Sequence, residues 1–217
     1  MRRLVKQKCP EILEQNHKAW TTEYLNIISS NGKPTKTQSG RYRHPQIKQT
    51  ILLETHGKCV YCESKITHIY PGDIEHIKPK SLYPTEIFSW LNLTLACSIC
   101  NTNKAAYPND TTPLIHPYDD DPQEHLTFYG PMVFHKSGST KGQLTTQILK
   151  LNRTELIEKR KEKLESLLLL IELWNNAQSG DVKEGFRYLI LEECKLDKEF
   201  SLMVECFLIQ NLGLSAK

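Results

Sequence analysis

Hydrophobic positions divide the chain into stretches of different period. Over residues 10–28, Ile12, Leu13, Trp20, Tyr24, Leu25 and Ile28 recur at helical spacing. Residues 31–40 lack that period and are rich in Gly, Pro, Ser, Thr and Lys, which predicts a mobile basic loop. A second helix is predicted over residues 45–56. Pro45 suits a first turn, where a missing N–H costs nothing, and Gly57 suits the position after the last turn. Residues 59–108 are irregular, with short apolar runs. Next come the turn-like Pro117-Tyr118-Asp119-Asp120-Asp121-Pro122 and two short β-like pieces at 126–129 and 132–135. From Leu151 the texture changes to Glu, Lys and Leu, which predicts a long helix over 154–176 and further helices over 185–194 and 198–212. Leu164, Leu167, Leu168, Ile171 and Leu173 form an apolar stripe suited to a core or to a partner face.

The pattern is that of an α+β, mainly helical chain in four regions. These are a basic helical N-terminal region (1–56), a compact core (57–110), an irregular and β-containing connection (111–150) and a C-terminal helical region (151–217). At 217 residues, 39% hydrophobic and 24% charged, the chain is long enough to bury a sizeable core. It contains no apolar run of the roughly 18 residues that a membrane helix needs. The basic N-terminus lacks the apolar segment of a secretory signal, so a reducing cytoplasm is expected.

Charge changes the picture by its placement. The net +3 conceals 11 Lys and Arg against 4 Asp and Glu in residues 1–58, a surplus of +7, followed by −1, −1 and −2 over 59–110, 111–150 and 151–217. Such a quarter fits a surface that approaches phosphate or a solvated helical face, and charge alone does not separate the two. Arg41-Tyr42-Arg43-His44 mixes base and aromatic as nucleic-acid surfaces do, which makes Arg41 and Arg43 candidate phosphate contacts.

Seven cysteines matter more. Cys59-Val60-Tyr61-Cys62 and Cys97-Ser98-Ile99-Cys100 are two CxxC pairs. In a reducing compartment, two such pairs without a thioredoxin-like βαβ pattern indicate a four-sulfur structural Zn²⁺ site. Cys9, Cys194 and Cys206 lack partners at that spacing, and the last two read as small core residues.

Between and after the pairs lie Glu75-His76-Ile77-Lys78-Pro79, Asn92-Leu93, and then Asn101 and Lys104. The combined pattern, CxxC, EHIxP, NLxxxCxxCNxxK, resembles the HNH (His-Me finger, ββα-metal) endonucleases whose fold is held by a four-cysteine zinc site. That resemblance implies a zinc-stapled ββα-metal nuclease core. His76 would be the general base, since imidazole takes a proton near neutral pH. Asn92 would orient it through backbone contacts. Glu75 and Asn101 would present oxygens to one catalytic divalent ion, Mg²⁺ or Mn²⁺. Lys104 and Lys78 would contact phosphate. Two positions depart from the common pattern: Glu75 stands where Asp is frequent, and Asn101 where His is.

Outside the core, His116-Pro117-Tyr118-Asp119-Asp120-Asp121-Pro122, Leu151-Asn152-Arg153, Glu155-Leu156 and Arg160 resemble the HNH proteins of Septu-type anti-phage systems and of some retron operons. That likeness implies a nuclease effector cutting DNA or RNA with an ABC/SMC-like ATPase partner, and in retron systems with a reverse transcriptase and its msDNA. The rival reading is a zinc-dependent nucleic-acid-binding or adaptor subunit with an inactive HNH centre.

Overall fold

A computed structural model describes residues 1–68, 70–108 and 113–215. The boundary expected between 110 and 111 lies outside the described residues. Helix α1 (Glu11–Ser29) buries Leu13 and is followed by α2 (Lys36–Gly40), a 3-10 turn at Arg41–Arg43 and α3 (Pro45–Glu54). Helix α2 corrects the expected loop. Thr35 and Gln38 form a reciprocal capping box that satisfies the first-turn N–H groups, so this polar stretch closes a turn of helix.

Helix α3 ends at Glu54, two residues before the predicted His56, and the chain then turns at His56 and Gly57. His56 (φ 53°) and Gly57 (φ 68°) are both left-handed, and a Cβ on Gly57 would lie 2.9 Å from Thr67 Oγ1. The core then forms an antiparallel ribbon of β1 (Asp73–His76) and β2 (Leu93–Ala96), paired Asp73 to Ala96 and His76 to Leu93. Helix α4 (Ser98–Lys104) follows directly. Two strands and a helix in this order are the expected ββα unit.

After α5 (Pro122–His125), the hairpin β3 (Leu126–Tyr129) and β4 (Met132–His135) turns through Gly130 and Pro131. Helix α6 (Thr140–Ile148), capped by the Ser139 hydroxyl, has no apolar period and was not expected. The C-terminal region comprises α7 (Thr154–Asn176), α8 (Gly180–Glu192) and α9 (Ser201–Leu212). Buried residues from all four regions, among them Leu13, Leu93, Leu126 and Leu202, join in one core. Among the described residues no helix is long and apolar enough to cross a membrane.

Residues 1–9 run as an extended strap that ties the regions together. The Met1 amine pairs with Glu63 at 2.9 Å, Arg2 reaches Glu205 and the Ser201 carbonyl, and Leu4 N–H donates to Pro117 O at 2.8 Å. Lys6 sits 3.8 Å from the Trp90 ring centroid and pairs with Glu54 at 3.1 Å. The Tyr118 hydroxyl also donates to Glu54, which gives the His-Pro-Tyr motif a structural role. These contacts divide the basic N-terminal quarter between interior and surface. Arg2, Lys6, Lys48 and Lys58 spend their charge on interior carboxylates or carbonyls, while Lys8, Lys18, Lys33, Lys36 and Arg43 remain exposed.

Candidate active site

The two CxxC turns converge. The Sγ atoms of Cys59, Cys62, Cys97 and Cys100 all lie within 4.8 Å of one another and are buried, with Cys62 and Cys97 4.0 Å apart. Four sulfurs at about 2.3 Å from one tetrahedral zinc would be about 3.8 Å apart, so the residues fit the ion. Local backbone fixes both knuckles: Val60 N–H bonds to Leu95 O at 2.9 Å, and Cys97 Sγ caps α4 by accepting Cys100 N–H at 3.4 Å. The four-cysteine cluster therefore fastens the 59–62 turn to β2 and to the start of α4.

That fastening positions a cleft of about 370 Å³ between the ribbon, α4 and the turn before α3. His76, Glu75, Asn101 and Lys104 line it, joined by Tyr42, Arg43, Asp73 and Lys80. His76 is only 6% exposed. Its Nε2 lies 2.9 Å from Ile87 O, and a carbonyl only accepts, so Nε2 carries the proton and the Nδ1 lone pair is left without a hydrogen bond among the described residues. The ring also packs edge-on against Tyr42, with centroids 4.6 Å apart. Burial, reinforced by Lys80, Lys104 and Arg43, pulls the imidazole down to about 4, so it is neutral at physiological pH.

Asn92 stands behind this arrangement, 3% exposed. Its Oδ1 accepts Lys78 N–H at 2.7 Å, and its Nδ2 donates to Lys78 O at 3.0 Å and to Glu86 O at 3.2 Å. It therefore clips together both ends of the 78–86 loop, next to the carbonyl of Ile87 that His76 uses.

Asp73 and Glu75 alternate onto one face of β1, beside Asn101 of α4. Asn101 Nδ2 donates to Asp73 Oδ2 at 3.0 Å. Glu75 is buried, which pushes its carboxyl up, and Lys104 opposes this from 2.6 Å. Two carboxylates and an amide oxygen are hard donors suited to a divalent cation, and the Lys104 ammonium already marks a place for positive charge against Glu75.

Three expected phosphate contacts are engaged by carboxylates of the protein itself, Lys104 among them although it lines the cleft. Lys104 is 3% exposed and bonds to Glu75 and to His76 O at 2.8 Å, because α4 packs its last turn under β1. Lys78 pairs with Glu86 at 2.7 Å, away from the cleft. Arg41 pairs with Glu23 and stacks 5.5 Å from the Trp20 ring. Arg43 does reach the cleft. The sequence reading missed Asp73, Tyr42 and Lys80. Strand alternation from Glu75 would have found Asp73. Tyr42 stands in the basic-aromatic stretch 41–44, but nothing local places it against His76, because it enters from another region and is held by Lys80 Nζ at 2.9 Å from its hydroxyl.

Comparison with known proteins agrees with this geometry. The HNH endonuclease family matches residues 59–106, the segment that holds both cysteine pairs and most of the cleft. The Septu protein PtuB of Bacillus thuringiensis is 30% identical over 204 residues, covering 85% of this chain and 78% of that protein. The Septu protein PtuB of Bacillus mycoides (strain KBAB4) is 31% identical over 159 residues, covering 59% of this chain and 54% of that protein. A likeness that runs far beyond the HNH segment accounts for the HNH core and its flanking helical regions together: the chain belongs to the PtuB family of Septu proteins.

Proposed function

We propose that the protein is a metal-dependent endonuclease that hydrolyses phosphodiester bonds of DNA or RNA as the effector of an anti-phage system. The observation that carries this reading is His76, a buried neutral imidazole fixed by Nε2 with its Nδ1 lone pair unused at a basic cleft. His76 Nδ1 takes a proton from the attacking water, a role worth about 10² to 10⁴ in rate. Asn92 and the Tyr42 ring hold the imidazole, and Arg43 and Lys80 bind the substrate phosphate. Asp73, Glu75 and Asn101 would hold one Mg²⁺ or Mn²⁺, whose bound charge offsets that of the phosphate. Zn²⁺ in the four-cysteine site is structural in this reading.

The partner is an ABC/SMC-like ATPase, a reading supported by the likeness to Septu proteins and by exposed apolar side chains on α7 and α8, Leu169 and Tyr188 among them. The test is incubation of plasmid and RNA with Mg²⁺ or Mn²⁺, with and without that ATPase. His76→Ala is expected to lose at least about 10²-fold of the cleavage. Equal cleavage by wild type and variant overturns the general-base role.

A further inference from the structure

Two arginines in the Leu151-Asn152-Arg153 and Arg160 motif have no part in the proposed hydrolysis, yet they are among the most constrained cations in the chain. Arg160 is 2% exposed, between the rings of Phe128 and Phe200, with its guanidinium carbon 5.3 and 5.8 Å from their centroids. It donates to Leu151 O at 2.8 Å and Pro131 O at 3.3 Å. Among the described residues it has no carboxylate within ion-pairing distance. Glu63 acts on it from farther away, but that carboxylate is already neutralised by the Met1 amine at 2.9 Å and by Lys58 at 3.7 Å. A buried charge without a counter-charge is costly, so one has to be supplied from elsewhere.

Arg153, half-buried at the start of α7, poses the same problem. Among the described residues it too has no carboxylate partner. Its Nη1 lies 3.8 Å from Cys100 Sγ and 3.4 Å from Lys150 O. Cys62 and Cys100 act electrostatically on both arginines. The rest of the motif builds their seat. Asn152 clamps Val133 through its N–H at 2.9 Å and its carbonyl at 2.7 Å, and Leu151, 1% exposed, offers the carbonyl that Arg160 uses.

A zinc ion bound by four thiolates carries a net charge of −2. Two guanidiniums bring the ensemble to zero. We propose that Arg153 and Arg160 are the counter-ions of the zinc tetrathiolate, and that they hold the sulfurs on the metal by making their lone pairs less available to competing electrophiles. The inference rests on zinc occupying the four-cysteine site. It assigns the C-terminal region a job in the nuclease core, because the first helix of that region delivers both charges. Partners outside the ligand shell typically tune metal affinity about 10- to 100-fold.

The test is zinc transfer from the purified full-length protein to the chromogenic chelator 4-(2-pyridylazo)resorcinol, with iodoacetamide labelling of Cys100 read by mass spectrometry. Arg153→Gln, half-exposed and tolerant of change, is expected to release zinc and label Cys100 about tenfold faster than wild type. Arg153→Lys restores the charge and is expected within about twofold of wild type. Arg187→Gln, on the exposed face of α8, leaves both rates unchanged. Arg160→Met is expected to release zinc faster where circular dichroism shows it folded. Wild-type rates in Arg153→Gln overturn the proposal, whether or not Arg160→Met folds. Wild-type protein purified without zinc overturns the metal reading itself, and the inference with it.

Discussion

Replacing Asn92 tests the positioning of the cleft without touching its chemistry. Asn92 makes three hydrogen bonds, to Lys78 N–H, Lys78 C=O and Glu86 C=O, at 2.7 to 3.2 Å, and it is 3% exposed. Each bond contributes about 1 kcal/mol net, and each buried partner left unsatisfied costs about 1–3 kcal/mol. Asn92→Ala is therefore expected to lose about 3–6 kcal/mol of stability, against a typical total of about 5–15 kcal/mol. Asn92→Asp is nearly isosteric but is expected to be no milder. It keeps an acceptor for Lys78 N–H and sets a second oxygen against two carbonyls at 3.0 and 3.2 Å. Urea unfolding monitored by circular dichroism measures both losses. Cleavage at a temperature where the variants stay folded should fall about 10²-fold, because the Ile87 carbonyl that holds His76 adjoins the clipped loop and displacements of about 1 Å cost that much. A loss below about 1 kcal/mol in Asn92→Ala, or a harmless Asn92→Asp, refutes the clip.

Other expectations are separable. In the free protein His76 should titrate near 4 by NMR. Arg43, Lys80 and Lys104 stand around it and Tyr42 covers one side. Its folded value lies below the unfolded value of about 6.5, so the unfolded chain takes up the proton first. Stability from this group is present above about 6.5 and is lost as the pH falls to about 4, a change of about 3 kcal/mol; no acid-side loss in that window in wild type relative to His76→Ala contradicts the assignment. Cys59→Ser should lose its zinc by elemental analysis. A loss of about 4 kcal/mol or more would lower Tm by about 10 °C or more in a chain of this size, and an unchanged Tm without zinc sinks the structural role. Tyr42→Phe keeps the ring against His76 and should cleave within a few-fold of wild type, whereas Tyr42→Ala should open a cavity costing about 3–5 kcal/mol. Equal stability of the two in thermal melts would show that the ring packing is dispensable.

Local chemistry was readable in the sequence where one segment supplied its own constraint. Helix α7 and strands β3 and β4 follow from period alone, and the four cysteines from spacing. Helix α2 escaped because its stability comes from a side-chain box rather than from apolar period. Lys104 was misjudged for a different reason. Its position one turn into α4 says nothing about which side of that helix faces β1, and tertiary packing made it an interior ion-pair partner. Tyr42 meets His76 and Lys80 only through long-range folding, which no single-segment pattern encodes.

The strap of residues 1–9 bears on the order in which the molecule is completed. Arg2 and its partners Cys194, Ser201 and Glu205 lie 192 to 203 positions apart. The cysteine knuckles span only residues 59–100 and close much shorter loops, so the four-cysteine core can assemble while the strap still waits. Folding of this chain thus ends with the docking of its strap. Arg2 stays unmatched until α9 docks, and non-local closure of this kind is the slow step by loop entropy.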